Sequence, residues 1–390
     1  MGNVTLQSGK ERAIVAGRRW AYRSEVLPAD VAPGAVADLV DSRGGFVARG
    51  FYNPRSELAF RVVTEDAAEP VDADLVRRRL AAAWAYRKRA ADDPRYCRVV
   101  FSEADGLPGL IADRLGDVIV LQVSALGIAT WQPVVVQTLA ELVRPEAIYA
   151  RSEGGARRRE GLPEEVGLLW GTMPDPLLVE EGGLRLRVDV AGGQKTGHYL
   201  DQRSNRLRLR QLSPQGGVGL DAFCNTGGFG LQALAAGVGR VIFLDASEAA
   251  VEAALANAAR NGFQGRAEGV AANAFDQLRT YERDGSRFDL IVLDPPAFAR
   301  GRAHLDAAFR GYKEVNLRAM RLLRPGGLLV TSSCSQPVTD DMFLNMLADA
   351  AADSGCRMRV IERRGAGADH PGLLGAEQTL YLKCIFLERL

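Results

Sequence analysis

The residues best equipped for chemistry lie in the C-terminal half of the chain, each directly behind a short apolar run. Cys334 sits in Thr331-Ser332-Ser333-Cys334-Ser335 after Leu328-Leu329-Val330, and Asp294 opens Asp294-Pro295-Pro296-Ala297-Phe298 after Phe288 to Leu293. Asp245 ends Val241-Ile242-Phe243-Leu244, and Asp221 precedes the turn Phe223-Cys224-Asn225-Thr226-Gly227-Gly228. An ionised thiol is a strong carbon nucleophile. A carboxylate about twenty residues beyond a glycine-rich turn can accept both hydroxyls of a ribose. Glycines in such a turn let backbone amides approach a ligand closely. Taken together, the turn and Asp245 point to a nucleoside-bearing cofactor. Two prolines hold the Asp294 carboxylate in a rigid turn, and Phe298 offers a face on which a planar base could stack.

These residues acquire meaning only if one element type presents them together. The runs 218–223, 241–245, 288–293 and 327–331 alternate with helical stretches, the pattern of a parallel sheet covered on both faces. In such sheets ligands bind beyond the carboxyl ends of the strands, where these four groups fall. The helix after Asp245 is delimited by Ser247 as N-cap, apolar Val251, Leu255 and Ala258, and Asn261-Gly262 as its stop. Cys334 then faces the same crevice as Asp294. Carbon 5 of a pyrimidine is a poor nucleophile; a thiolate adding at C6 turns it into an enamine able to attack a sulfonium methyl. The plain alternatives are a tight strand-to-helix turn at 223–228 and a small buried cysteine at 334. The latter is adopted for Cys97, Cys356 and Cys384, and Cys224 is read as packing.

Upstream, the pattern is different. Residues 1–72 read as a small β domain, with a hairpin at Ala35–Val40, Ser42-Arg43-Gly44-Gly45 and Phe46–Tyr52. Residues 73–188 read as a middle α+β domain: a helix over about 73–92, strands at 98–101 and 118–121, a helix over 131–143, and a strand pair near 147–151 and 184–190. Arg157-Arg158-Arg159 is expected in a solvated loop. The third domain spans 189–390. Five cysteines without any C-x-x-C pair and three scattered histidines make a disulfide framework or zinc site unexpected, so no metal is assigned. With 49 basic and 48 acidic residues the net charge is +1, so contact with a polyanion must be local. No apolar run is long enough to span a bilayer, and the first residues have no signal core, so no membrane partner and a cytoplasmic location are expected.

The Asp294-Pro295-Pro296-Ala297-Phe298 element resembles the Asp/Asn-Pro-Pro-aromatic element of S-adenosylmethionine-dependent nucleic-acid methyltransferases. More broadly, the chain resembles the RlmI-type family of 23S ribosomal RNA cytosine-C5 methyltransferases. That resemblance rests on Gly197-His198-Tyr199-Leu200-Asp201-Gln202-Arg203, Asn225-Thr226-Gly227-Gly228-Phe229, Gly311-Tyr312-Lys313, Ser333-Cys334-Ser335 and Asp369-His370-Pro371. It implies a multidomain α/β chain: an N-terminal PUA-like β-barrel that grips RNA, a middle α+β domain, and a C-terminal class I (Rossmann-like) methyltransferase sheet. It also implies S-adenosyl-L-methionine as cofactor, with Lys195, Tyr199, Asp201 and Arg203 in a segment closing over it. The backbone of Phe223, Asn225, Thr226, Gly227 and Gly228, with Asp221 nearby, would hold the methionine moiety. Asp245 and Ser247 would hold the ribose and Asn273 the adenine. Asp294 would meet both the cofactor and the edge of the target cytosine, Pro295, Pro296 and Phe298 would line the base, and Cys334 would be the nucleophile. The implied partner is 23S rRNA or a large-subunit assembly intermediate, and the family suggests a homodimer.

Four departures from the family pattern stand out. Asn273 replaces the usual aspartate, Ala297 replaces a commonly basic residue, His198 occupies a position that is often tyrosine, and no cysteine follows Asp294-Pro295-Pro296. A second reading keeps fold and cofactor but methylates a guanine ring nitrogen or an exocyclic amine, with Cys334 merely packed. A third makes the chain a non-enzymatic RNA-binding protein. A dehydrogenase is disfavoured by the glycine spacing, which is not G-x-G-x-x-G.

Overall fold

The computed structural model describes residues 2–192, 198–299, 301–376 and 379–390. Two compact units divide the chain otherwise than at 72 and 188. The first takes the chain up to Leu177 with Asp189–Leu200 and Ala368–Thr379; the second takes Leu178–Val188, Asp201–Gly367 and Leu380–Leu390.

The first unit opens with β1 (Gly2–Thr5), helix α1 (Glu11–Val15), β2 (Trp20–Ala21), β3 (Val36–Val40), β4 (Phe46–Tyr52) and β5 (Phe60–Thr64). They form a sheet in the order β1-β3-β4-β5-β2, with β1 parallel to β3. The expected hairpin is β3–β4. Asp41 closes its turn, one carboxylate oxygen accepting the backbone N–H of both Arg43 and Gly45 at 2.8 Å. Val4, Leu6, Ile14, Leu39, Phe60 and Val62 from these elements share one core.

The same unit continues through α2 (Ala73–Ala90), β6 (Tyr96–Phe101), β7 (Leu110–Leu115), β8 (Val118–Val123), α3 (Leu126–Ala129), α4 (Gln132–Val143), β9 (Ala147–Ser152), α5 (Gly155–Arg159) and β10 (Glu165–Gly171). Asp72 caps α2 by accepting the Leu75 N–H at 2.8 Å. The sheet order is β10-β9-β8-β7-β6. Two expectations fail here. Strand β9 pairs with β8 and β10 rather than with residues 184–190. The arginine triplet forms α5, and Arg157 is buried, its guanidinium donating to the carbonyls of both Val123 and Pro163.

The second unit begins with a hairpin, β11 (Leu178–Glu181) and β12 (Leu184–Arg187), then α6 (Arg203–Leu212). There follow β13 (Gly216–Ala222), α7 (Gly228–Ala236), β14 (Val238–Asp245), α8 (Glu248–Arg260), β15 (Ala267–Ala271), α9 (Ala274–Arg283), β16 (Phe288–Leu293), α10 (Leu305–Leu322), β17 (Leu323–Ser333), α11 (Asp340–Ser354), β18 (Met358–Arg364) and β19 (Lys383–Arg389). The sheet runs β15-β14-β13-β16-β17-β19-β18. Strands β13 to β17 are parallel and β19 is antiparallel to both its neighbours. Their interiors are apolar because both faces are covered: Phe243, Leu290 and Val330 pack with α7 and α8, and Leu244, Ile291 and Leu329 with α10 and α11.

Register sets where the site can be. Ala222 pairs with both Leu244 and Leu293, and Leu293 with Thr331. The residues that follow these positions therefore emerge at one edge of the sheet. Strand order reverses at β13/β16, the topological switch point of an open α/β sheet. Among the described residues no helix is long and apolar enough to cross a membrane.

Candidate active site

The turn after β13 departs from ordinary backbone. Phe223 and Asn225 have φ of 63° and 47°, and Gly227 follows at 86°. A Cβ on Gly227 would stand 3.0 Å from both Ala254 Cβ and Phe243 Cε1, so this position needs glycine for conformation and for space. Non-glycine residues in this region are strained and persist where the surroundings over-determine them. Here the Asp245 carboxylate supplies part of that, accepting the Asn225 N–H at 3.0 Å, while Asn257 donates to the Thr226 carbonyl at 3.2 Å.

Asp245 is held on both oxygens, since the second accepts the Ser247 N–H at 3.0 Å. Each carboxylate oxygen keeps a further lone pair, so a ribose diol can still be bound. Ser247 caps α8 through Ala250 as the sequence suggested, and Asn273 caps α9, its carbonyl oxygen accepting the Phe275 N–H at 2.9 Å. That oxygen is the one expected to meet an adenine amino group, so it enters the site already committed to a helix end.

Asp221 is buried beneath the turn. One oxygen accepts the Gly230 N–H at 2.8 Å and the other, fully buried, has no hydrogen-bond partner among the described residues. Burial pushes its pKa up to about 8, the Gly230 bond opposing and the charges of Asp294 and Asp245 adding to the rise. A buried carboxyl with an unmet oxygen, a left-handed glycine turn and a pinned strand-end carboxylate fit the polar end and ribose of an adenosylated amino acid.

Asp294 is oriented by Gln202, whose Nε2 donates to Oδ1 at 2.9 Å. Gln202 is held in turn by Asn205 at 2.7 Å, and Asn205 by Arg364 at 2.9 Å. Cys334, half-buried, lies with its Sγ 3.9 Å from the Pro295 carbonyl oxygen. The thiol and the Asp294–Pro295 turn are thus neighbours. Pro296 is exposed. Phe298 is half-buried, its ring 4.6 Å from that of Tyr312 and 5.8 Å from that of Phe275. The Tyr312 hydroxyl bonds Ser335 Oγ at 2.8 Å, tying α10 to the residue after Cys334.

Asp201 accepts a hydrogen bond from the Tyr381 hydroxyl at 2.5 Å, and Arg203 opens α6. Tyr199 belongs to the first unit, and Lys195 lies outside the described residues. Asp369-His370-Pro371 is also in the first unit, where Asp369 accepts the Arg98 N–H at 2.8 Å and pairs with His370 at 3.0 Å. Burial pushes the Cys97 and Cys384 thiols up to about 12 and raises the Cys224 thiol too, as suits packing cysteines. Among the described residues no His, Cys, Asp and Glu cluster could hold a metal ion.

Gln202, Tyr312 and Lys383 were not singled out individually by sequence reasoning. Gln202 and Tyr312 lie inside stretches that carried the family resemblance. The signal at Lys383 was a lysine, one of five in the chain, breaking the apolar run Leu382 to Phe386.

The model of the S-adenosylmethionine-dependent methyltransferase family matches residues 166–381, and that of the PUA-like domain residues 4–65. The ribosomal RNA large subunit methyltransferase I of Salmonella arizonae is 38% identical over 389 residues, covering 97% of this chain and 96% of that protein. The protein of the same name from Shewanella amazonensis is 40% identical over 386 residues, covering 97% of each. Among solved structures, a candidate methyltransferase complexed with SAH superposes over the whole of both chains with a TM-score of 0.86 at 18% identity, a likeness of fold. Near-complete coverage by such relatives, over a sheet that presents a left-handed glycine turn and strand-end carboxylates at its switch point, establishes that the chain belongs to the ribosomal RNA large subunit methyltransferase I family, in which a PUA-like domain is joined to an S-adenosylmethionine-dependent methyltransferase.

Proposed function

We propose that the chain methylates carbon 5 of a cytosine in 23S ribosomal RNA, with Cys334 as the attacking nucleophile. The relatives' name carries ribosomal RNA to this chain, and the cytoplasm is where that RNA, naked or in an assembling subunit, would be met. The observation that supports the nucleophile is the 3.9 Å approach of Cys334 Sγ to the carbonyl of Pro295, which places a thiol at the turn begun by Asp294.

The residues divide the work as follows. Asp245 and the backbone of Phe223 to Gly228 bind the adenosyl and methionine parts of the cofactor, which supplies an electrophilic sulfonium methyl. Asp294, oriented by Gln202, holds the N3 edge of a cytosine flipped out of its helix. The Cys334 thiolate would bond to C6, the ring electrons would move to C5, and C5 would take the methyl group as its bond to the sulfonium sulfur breaks, leaving a neutral thioether. Transfer of the C5 proton to solvent water would then restore the double bond and break the C6–S bond, returning the thiolate. The PUA-like domain supplies the grip on structured RNA.

The test is methyl transfer from labelled S-adenosylmethionine to ribosomal RNA from a strain lacking this gene, followed by nucleoside analysis. Wild type is expected to form 5-methylcytidine and Cys334→Ala none. Another methylated nucleoside that survives Cys334→Ala would overturn the covalent route and install methylation of a guanine or an exocyclic amine.

A further inference from the structure

A lysine buried in the core of a methyltransferase sheet requires an explanation. Lys383 is 2% exposed, and its Nζ donates to the carbonyls of Ser335 and Tyr381, each at 2.8 Å. Register places it opposite Ser333, so the side chain reaches past the end of β17 to the residue that follows Cys334. An ammonium has three donors, and the described residues offer partners for two. Burying that charge is costly. If tying β19 to the end of β17 were its whole role, a neutral side chain could do so without that cost.

We propose that Lys383 is the fixed cation that keeps Cys334 in its thiolate form, a positioning residue acting on the reaction only through that sulfur. This rests on the reading of Cys334 as nucleophile. The S–H bond breaks with its proton leaving to solvent water, and the ammonium remains charged beside the anion. Lys383 ionises at about 8, burial lowering it while Asp340 and Cys334 act in the opposite direction. At neutral pH it is therefore mostly charged, and the attraction is mutual: the thiolate that favours the ammonium is favoured by it. Asp340 faces Lys383 from the first turn of α11, and Tyr312 on α10 faces Cys334. Asp294 precedes the Pro295 carbonyl that Cys334 touches. Asp340 is exposed and so screened by solvent, which favours the thiolate as the counter-charge to the ammonium.

The experiment is alkylation of the full-length protein by iodoacetamide from about pH 6 to 9, read at each cysteine by peptide mass spectrometry, which reports thiolate without substrate or cofactor. Wild-type Cys334 is expected to react at pH 7 about tenfold faster than Cys356, the other cysteine that is not fully buried. Lys383→Gln should slow Cys334 about tenfold at pH 7 and move its rate profile to higher pH, and Lys383→Arg should restore most of the rate. An unchanged profile in Lys383→Gln overturns the proposal. Should that variant fail to fold, parity of Cys334 and Cys356 in wild type overturns it equally. Because no RNA is present, the alkylation result can fail while Cys334→Ala still abolishes 5-methylcytidine, and can succeed while the product proves different.

Discussion

Gln202 donates to Asp294 at 2.9 Å from the turn that leads into α6, and it is the last link of a side-chain relay running from Arg364 through Asn205 to the carboxylate. The relay fixes the orientation of the Asp294 carboxylate. Gln202→Leu should leave cofactor affinity near wild type while methyl transfer falls about tenfold or more, the loss of one hydrogen bond to a charged group. Single-turnover transfer alongside calorimetric cofactor binding separates the two. Equal loss in both would mean that Gln202 serves the cofactor side.

Arg206 and Glu181 form a buried ion pair at 2.6 Å joining α6 to the hairpin β11–β12, with Gln232 donating to the Glu181 carbonyl at 3.0 Å. Removing one partner leaves the other as an uncompensated buried charge. Arg206→Leu is expected to cost about 3–5 kcal/mol in denaturant unfolding, whereas Arg206→Leu combined with Glu181→Leu should recover a large part of it. Strict additivity in that double-mutant cycle would show that the two do not interact.

How far the chain could be read from its residues depends on what each element buries. Strands β13, β14, β16 and β17 are continuous apolar runs because helices cover both faces, and such runs are visible without a structure. Strand β7 was missed because its run is broken by Asp113, which is fully buried only because Arg98 on β6 meets it at 2.8 Å. The strand-end residues Asp245, Asp294 and Cys334 were legible for the same reason as their strands. Lys383 was not: its meaning lies in a carbonyl some fifty residues earlier in the chain, brought near by antiparallel pairing of β19 with β17. The packing of Phe298 against Tyr312 from α10 was not legible either, since spacing does not reveal that partner.

Asp221 should give the protein a pH dependence opposite to that of an ordinary salt-bridged carboxylate. Its pKa rises from 3.8 to about 8 on folding, mainly through burial. Below the lower value both states hold the proton. Between the two values the unfolded chain ionises and the folded one does not, so stability falls as pH rises and the loss is complete above the upper value. Asp221→Asn preserves an acceptor for the Gly230 N–H and removes the titration. Urea unfolding of both forms across this range should show the wild type losing ground to the variant as pH increases; a constant difference would refute the shift.

Asp245→Asn tests whether the strand-end carboxylate does two jobs at once. Its oxygens accept the N–H groups of Asn225 and Ser247, and together these pin the turn and the start of α8. An amide offers one acceptor oxygen in place of two, so it can keep one of those bonds and must present N–H donors toward the other amide and toward a ribose. The variant should therefore bind S-adenosylmethionine about tenfold or more weakly, with a loss of roughly 1–3 kcal/mol in unfolding free energy. Calorimetry against the cofactor and against adenine alone distinguishes the causes. If affinity for both falls equally, the turn has collapsed; if only the intact cofactor loses affinity, Asp245 contributes through the ribose.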